Sequence, residues 1–235
     1  MKLNTNSNTY ILAYASLLVI AVAFVLAYFS QALKPIQDKN VALDKKKQII
    51  AALNIRDVND NQVEEYYNKL VEADEIINEK NEVLSAGKPG GENDGFKLNG
   101  GDFKAGELAL FVCNVDGQKK YVMPVYGMGL WGGISGYIAI NADKETIYGV
   151  YFNHEGETAG LGAEIKDNQK WQQQFCGKHL FADGNQDAVA LSVCKKVDNP
   201  ATQVDGVSGA TLTCDGVTRM IHEGLGKYLV FLKDK

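Results

Sequence analysis

Leu108-Ala109-Leu110-Phe111-Val112-Cys113-Asn114-Val115-Asp116-Gly117-Gln118-Lys119-Lys120-Tyr121-Val122-Met123-Pro124-Val125 sets the architecture. Its first eight residues are almost all apolar, Asp116-Gly117 is the dipeptide of a tight hairpin turn, and 121–125 is again strand-like. Further strand-like runs follow at 137–141, 146–152 and 189–197. Toward the C-terminus, Val217, Met220, Ile221, Leu225, Tyr228, Leu229 and Leu232 line one face of a helix expected over 214–232. Toward the N-terminus, Ile36, Leu43, Ile49, Ile50 and Leu53 predict a helix over 36–53. Asn61 with Glu64 reads as a capping-box-like start, and Val63, Tyr66, Tyr67, Leu70, Ala73 and Ile77 continue at helical spacing. Six of the fifteen residues in 87–101 are glycine, which reads as a loop or linker. Helices, strands in meander order and helices again give an α+β fold with an antiparallel sheet core and flanking helices.

Before all of this, residues 10–29 hold no charge, proline or glycine. Twenty residues at about 1.5 Å each match a hydrocarbon core roughly 30 Å thick. A signal peptide is the rival, but its apolar region spans about 7–15 residues, and Tyr28-Phe29-Ser30-Gln31-Ala32 is a poor cleavage site. The expectation is one uncleaved transmembrane helix over 10–33, after a 1–9 tail. One lysine (Lys2) precedes the span, whereas Lys34, Lys39, Lys45, Lys46 and Lys47 follow it, so charge bias alone would keep the following domain in the cytoplasm.

A net charge of −5 carries no basic field, so nucleic acid is not an expected partner. Cys113, Cys176, Cys194 and Cys214 show neither C-x-x-C nor metal-like spacing with the three histidines, so no metal site is expected. One disulfide is possible, and the sequence does not choose it.

Asp205-Gly206-Val207-Ser208-Gly209-Ala210-Thr211-Leu212-Thr213 is the densest chemical signal. Small residues before a helix let the backbone approach a phosphate, where free N–H groups and the dipole favour negative charge. No G-x-x-x-x-G-K-[ST] cradle is present; the stretch offers hydroxyls instead. The plainer alternative is an ordinary N-cap, for which Ser, Thr and Asp are common.

Two other loops stand out. Gly127-Met128-Gly129-Leu130-Trp131-Gly132 satisfies G-x-G-x-x-G, but Gly133-Ile134-Ser135-Gly136 and a strand follow where a dinucleotide site needs a helix. The loop can instead set Leu130 and Trp131 beside a flat aromatic ligand, or be a turn around a core tryptophan. His154-Glu155-Gly156-Glu157-Thr158-Ala159-Gly160-Leu161-Gly162 is not H-E-x-x-H. It reads as a solvated turn unless a flat ligand is present, in which case Glu157 and Thr158 would meet its polar edge and Gly160-Leu161-Gly162 would pack against its ring. His179 and His222 read as structural.

The 205–211 stretch resembles the Asp-Gly-x-Ser/Thr-Gly-Ala-Thr signature of proteins that carry FMN in phosphoester linkage to the last threonine, here Thr211. With the span, the 37–45 segment and the two glycine-rich loops, the whole chain resembles the C subunit of the bacterial sodium-translocating NADH:quinone oxidoreductase. It departs from that family at Ala159, where proline is common. The resemblance implies a covalent-FMN flavoprotein, with Ser208, Gly209, Ala210 and Thr211 at the attachment site and Leu130, Trp131, Glu157, Thr158, Gly160 and Leu161 around the ring. It implies an electron carrier within an NADH:ubiquinone reductase complex, not catalytic alone, with other subunits, the lipid bilayer and a flavin transferase as partners. It also places an FMN-binding domain over 87–235 on the periplasmic side of the inner membrane, with 34–86 as a helical segment that can pack onto it. The alternatives are the flavoprotein subunit of an Rnf-type ferredoxin-linked complex and a membrane-tethered covalent-FMN sensor or interaction module.

Overall fold

The structure, a computed structural model, describes residues 7–234. Lys2 and most of the 1–9 tail lie outside them; Asn8 and Thr9 are already helical. The described chain divides into two compact units, one ending at Asp44 and one running from Lys45.

In the first unit, helix α1 (Asn8–Ala52) presents large apolar side chains all around its circumference, Leu17, Phe24 and Leu26 among them, and all are exposed. A helix apolar on every side belongs in a core or a membrane, and this one has the length and hydropathy to cross a bilayer. Two helices were expected on either side of Pro35, yet α1 runs through it. A single proline removes one helical N–H, and Gln31, Ala32, Leu33 and Gln37 around it favour helix.

The second unit takes the last turns of α1, whose Ile49, Ile50 and Ala52 are buried, and Leu53 beyond it is buried too. Next come α2 (Val63–Leu70), β1 (Val71–Ile77) and β2 (Val83–Ser85). The expected helix through Ile77 therefore stops at Leu70. Beyond it Val71, Ile76 and Ile77 enter a strand that registers antiparallel with β3 (Leu108–Val115), Asp74 opposite Phe111 and Ile77 opposite Leu108. Nor does Asn61 cap α2: the N-cap is Gln62, with no side-chain bond. The Asn capping box lies elsewhere, Asn99 and Asp102 closing the start of α3 (Gly100–Ala105).

The glycine-rich segment is not a linker between domains. Asp74, fully buried, accepts the Lys88 and Asp94 amides at 3.1 Å and the Phe96 amide at 3.3 Å. The loop wraps so tightly that a Cβ on Gly87 would stand 2.6 Å from the Asp74 backbone. Residues 34–86 accordingly are not all helix, and from Lys45 onward they share one unit with the rest.

β4 (Gln118–Met128), β5 (Gly133–Asn141) and β6 (Ile147–His154) complete the six-stranded sheet, ordered β2-β1-β3-β4-β5-β6 and antiparallel throughout. The Asp116-Gly117 turn takes φ 51° and 79°, both left-handed as a two-residue hairpin demands. Short helices α4 (Glu164–Asp167) and α5 (Gln169–Gln173) follow. The 189–197 run supplies only a three-residue strand, β7 (Ser192–Cys194), paired in parallel with β8 (Gln203–Asp205). α6 (Thr211–Gly226) and α7 (Leu229–Lys233) replace the single C-terminal helix. Of the expected helical face, Val217, Met220, Ile221, Leu225, Tyr228 and Leu232 are buried with Met123, Val125 and Ile138 of the sheet, and Leu229 is half-buried against them. α6 thus lies on β4, which carries its first turn to the end of the strand where the 129–133 loop begins.

Candidate functional site

α6 starts at Thr211 with Ala210 as its N-cap and no side-chain capping bond. The ordinary-cap alternative therefore fails. The first-turn N–H groups of a 16-residue helix, at the positive end of its dipole, are left without a side-chain acceptor. Gly209 precedes them at φ 76°, and a Cβ there would stand 2.8 Å from Leu161 Cδ2, so this loop and the 154–162 loop touch.

Thr211 is exposed and borders two clefts that share it and Gly209. The first, about 390 Å³, is lined by Leu130, Trp131, Thr158, Leu161, Ala210 and Leu212. The second, about 310 Å³, is more polar, with Lys195, Asp205, Ser208, Cys214 and Asp215. Trp131 is 70% exposed and Leu212 58%, with Leu130 and Leu161 at 47% and 42%, so four large apolar side chains gather in the open around one hydroxyl. Such a concentration marks a binding surface rather than a stray exposed residue. The buried tryptophan of this fold is Trp171, not Trp131.

Glu157, 7% exposed, also lines the first cleft. One carboxylate oxygen accepts the Trp131 amide at 2.9 Å and the other the Thr213 hydroxyl at 2.6 Å. Its own amide donates to His154 Nδ1 at 3.2 Å. Burial pushes the Glu157 carboxyl up, but bonds from Thr213, Trp131 and Leu130, with His154 nearby, outweigh it and hold it below the usual carboxylate range. Burial pushes the Cys214 thiol up despite the Val207 amide that donates to it at 3.3 Å. All four cysteines are free. Among the described residues no group of His, Cys, Asp or Glu is arranged to hold a metal ion.

An apolar bed, an adjoining polar cleft, a free hydroxyl between them and an uncapped helix start suit a flat aromatic ring joined to a phosphate, and these residues fit FMN. An FMN-binding domain model matches residues 129–226. The C subunit of the Na(+)-translocating NADH-quinone reductase of Haemophilus ducreyi is 32% identical, with 99% of this chain and 97% of that protein covered.

The chain belongs to the family of Na(+)-translocating NADH-quinone reductase C subunits.

The C subunit of the Pseudomonas aeruginosa reductase is 29% identical over 95% of this chain and 94% of its own. The crystal structure of the Parabacteroides distasonis C subunit superposes with a TM-score of 0.78 at 36% identity, covering 86% of this chain and 98% of that one. Shewanella oneidensis NqrC gives 0.65 at 27%, covering 83% and 100%.

Of the residues that the family likeness singled out, Leu130, Trp131, Glu157, Thr158, Leu161, Gly209, Ala210 and Thr211 line one cleft. Ser208 faces the other. Gly160, at φ 73°, shapes the turn before Leu161 and lines neither. Glu157 differs most from expectation. Its carboxylate is turned to protein donors rather than left free for a ligand's polar edge, and the cluster is not a solvated turn at this residue. Sequence reasoning missed Thr213 as the partner of Glu157, and missed Leu212 and Lys195 as lining residues. Leu212 carried a signal, being a large apolar residue in a run of small ones.

Proposed function

We propose that the chain carries FMN as a phosphoester on Thr211 Oγ and relays electrons from NADH oxidation toward quinone within the sodium-translocating complex. The observation that carries the reading is the exposed Thr211 hydroxyl at the uncapped start of α6, shared by an apolar and a polar cleft. When bound, the flavin supplies reversible electron transfer; the protein supplies position and electrostatics. Leu130, Trp131, Leu161 and Leu212 would pack against the ring of bound FMN and shield it from water. The first-turn amides of α6 and the helix dipole favour the phosphoester charge, and Lys195 at the rim of the polar cleft does the same. A tethered group cannot dissociate, which suits a domain held outside the inner membrane by α1, and a separate flavin transferase makes the bond. Full-length likeness to the reductase's C subunits favours this complex over the Rnf-type alternative. The test is complementation: in a strain lacking this chain, sodium-dependent NADH oxidation returns with the wild-type chain and not with Thr211→Ala. Restoration by Thr211→Ala, or full activity without the chain, contradicts the reading.

A further inference from the structure

Two threonines share the first turn of α6 in opposite environments. Thr211 is exposed, whereas Thr213 is 1% exposed and gives its hydroxyl to Glu157 at 2.6 Å. Side chains two residues apart on a helix point about 200° from each other, so seating Thr213 inward turns Thr211 outward. The same carboxylate takes the Trp131 amide at 2.9 Å, tying the loop that bears Leu130 and Trp131 to that turn. Gly162 leaves the room this requires: a Cβ there would stand 2.7 Å from Thr213 Oγ1.

Resting on the reading of Thr211 as the flavin-bearing residue, we propose that Glu157 is the positioning residue that presents it. By holding Thr213 Oγ1 and Trp131 N together, Glu157 locks the first turn of α6 against the 129–133 loop, so that Thr211 faces the apolar bed of Leu130, Trp131, Leu161 and Leu212. In the transfer itself, Thr211 Oγ bonds to the flavin-side phosphorus of a flavin dinucleotide as the pyrophosphate bridge breaks. The nucleotide monophosphate leaves with the electron pair, and the hydroxyl proton passes to a base of the transferase. No electron changes hands. Glu157 touches none of the reacting atoms.

The test uses the full chain with a flavin transferase and flavin adenine dinucleotide, following covalent incorporation by mass. Glu157→Ala and Thr213→Val should each slow incorporation roughly tenfold to a hundredfold, the range expected of a displaced acceptor. Because both remove one bridge, the double variant should be no slower than Glu157→Ala. Thr213→Ser, which restores the hydroxyl, should recover the wild-type rate. Wild-type rates in either single variant, additive losses, or no rescue by serine overturn the proposal. A second arm needs no flavin: exchange of the Trp131 amide should quicken in Glu157→Ala, which removes its acceptor, and unchanged exchange overturns the proposal by itself. If the wild type takes no flavin, or Thr211→Ala still takes it, the Thr211 reading fails and the exchange arm still decides on the bridge.

Discussion

Gly216 of α6 lies so close to Met128 of β4 that a Cβ on it would stand 2.5 Å from the Met128 carbonyl oxygen. Eight residues on, Gly224 repeats the approach, its Cβ position 2.7 Å from Val125 Cγ1. Gly127 answers from the strand, its Cβ position 2.7 Å from Met220 Cβ. Helix and strand meet backbone to backbone, and that approach brings the start of α6 to the loop of Leu130 and Trp131.

Gly216→Val should therefore force α6 off the sheet. Overpacking of this kind costs about 1–3 kcal/mol. Thermal unfolding of the purified full chain should show a lowered midpoint, with less flavin incorporated at equal expression. An unchanged midpoint would mean that the helix–strand approach can relax without loss.

Asp74→Ala should loosen the 87–96 loop rather than the sheet. Three backbone amides lose their acceptor, and a buried unsatisfied donor costs about 1–3 kcal/mol. Hydrogen exchange should rise at Lys88, Asp94 and Phe96 while Phe111 and Val122 stay protected. Uniform deprotection would instead make Asp74 part of the global core.

Trp131→Ala should leave covalent flavin in place, because Thr211 and the helix start are untouched, yet alter its visible spectrum or midpoint potential. The lost side chain is 70% exposed, so little stability should go with it. An unaltered redox titration would demote Trp131 to scaffolding.

Glu157 gives the site an acid limit. Its carboxyl is held below the usual range in the folded chain. The stability it contributes is thus fully present above the unfolded value and is lost as pH falls through the folded one. The difference in unfolding midpoint between wild type and Glu157→Gln should narrow as pH drops from about 7 to about 3. A gap that widens toward acid would reverse the sign and the assignment.

Strand content was legible wherever it was local. Leu108–Val115 and its Asp-Gly turn read directly, because an apolar run and turn chemistry need no distant partner. β1 was not legible: Val63, Tyr67, Leu70 and Ile77 keep helical spacing across a helix–strand junction, and only the ladder to β3 decides where the helix ends. In the candidate site, composition marked the Ser208–Thr211 run and resemblance to a family gave it meaning. The bridge through Glu157 escaped both, since its two partners lie 26 and 56 residues away and meet it only in the fold.

Peptide mapping by mass, on the full chain co-expressed with a flavin transferase, bears hardest on the flavin linkage. One added FMN phosphoryl group is expected, located on Thr211 and missing from Thr211→Ala while that variant still unfolds cooperatively. An unmodified Thr211 peptide from competently matured protein, or the group on Thr213 or Ser208, would contradict it.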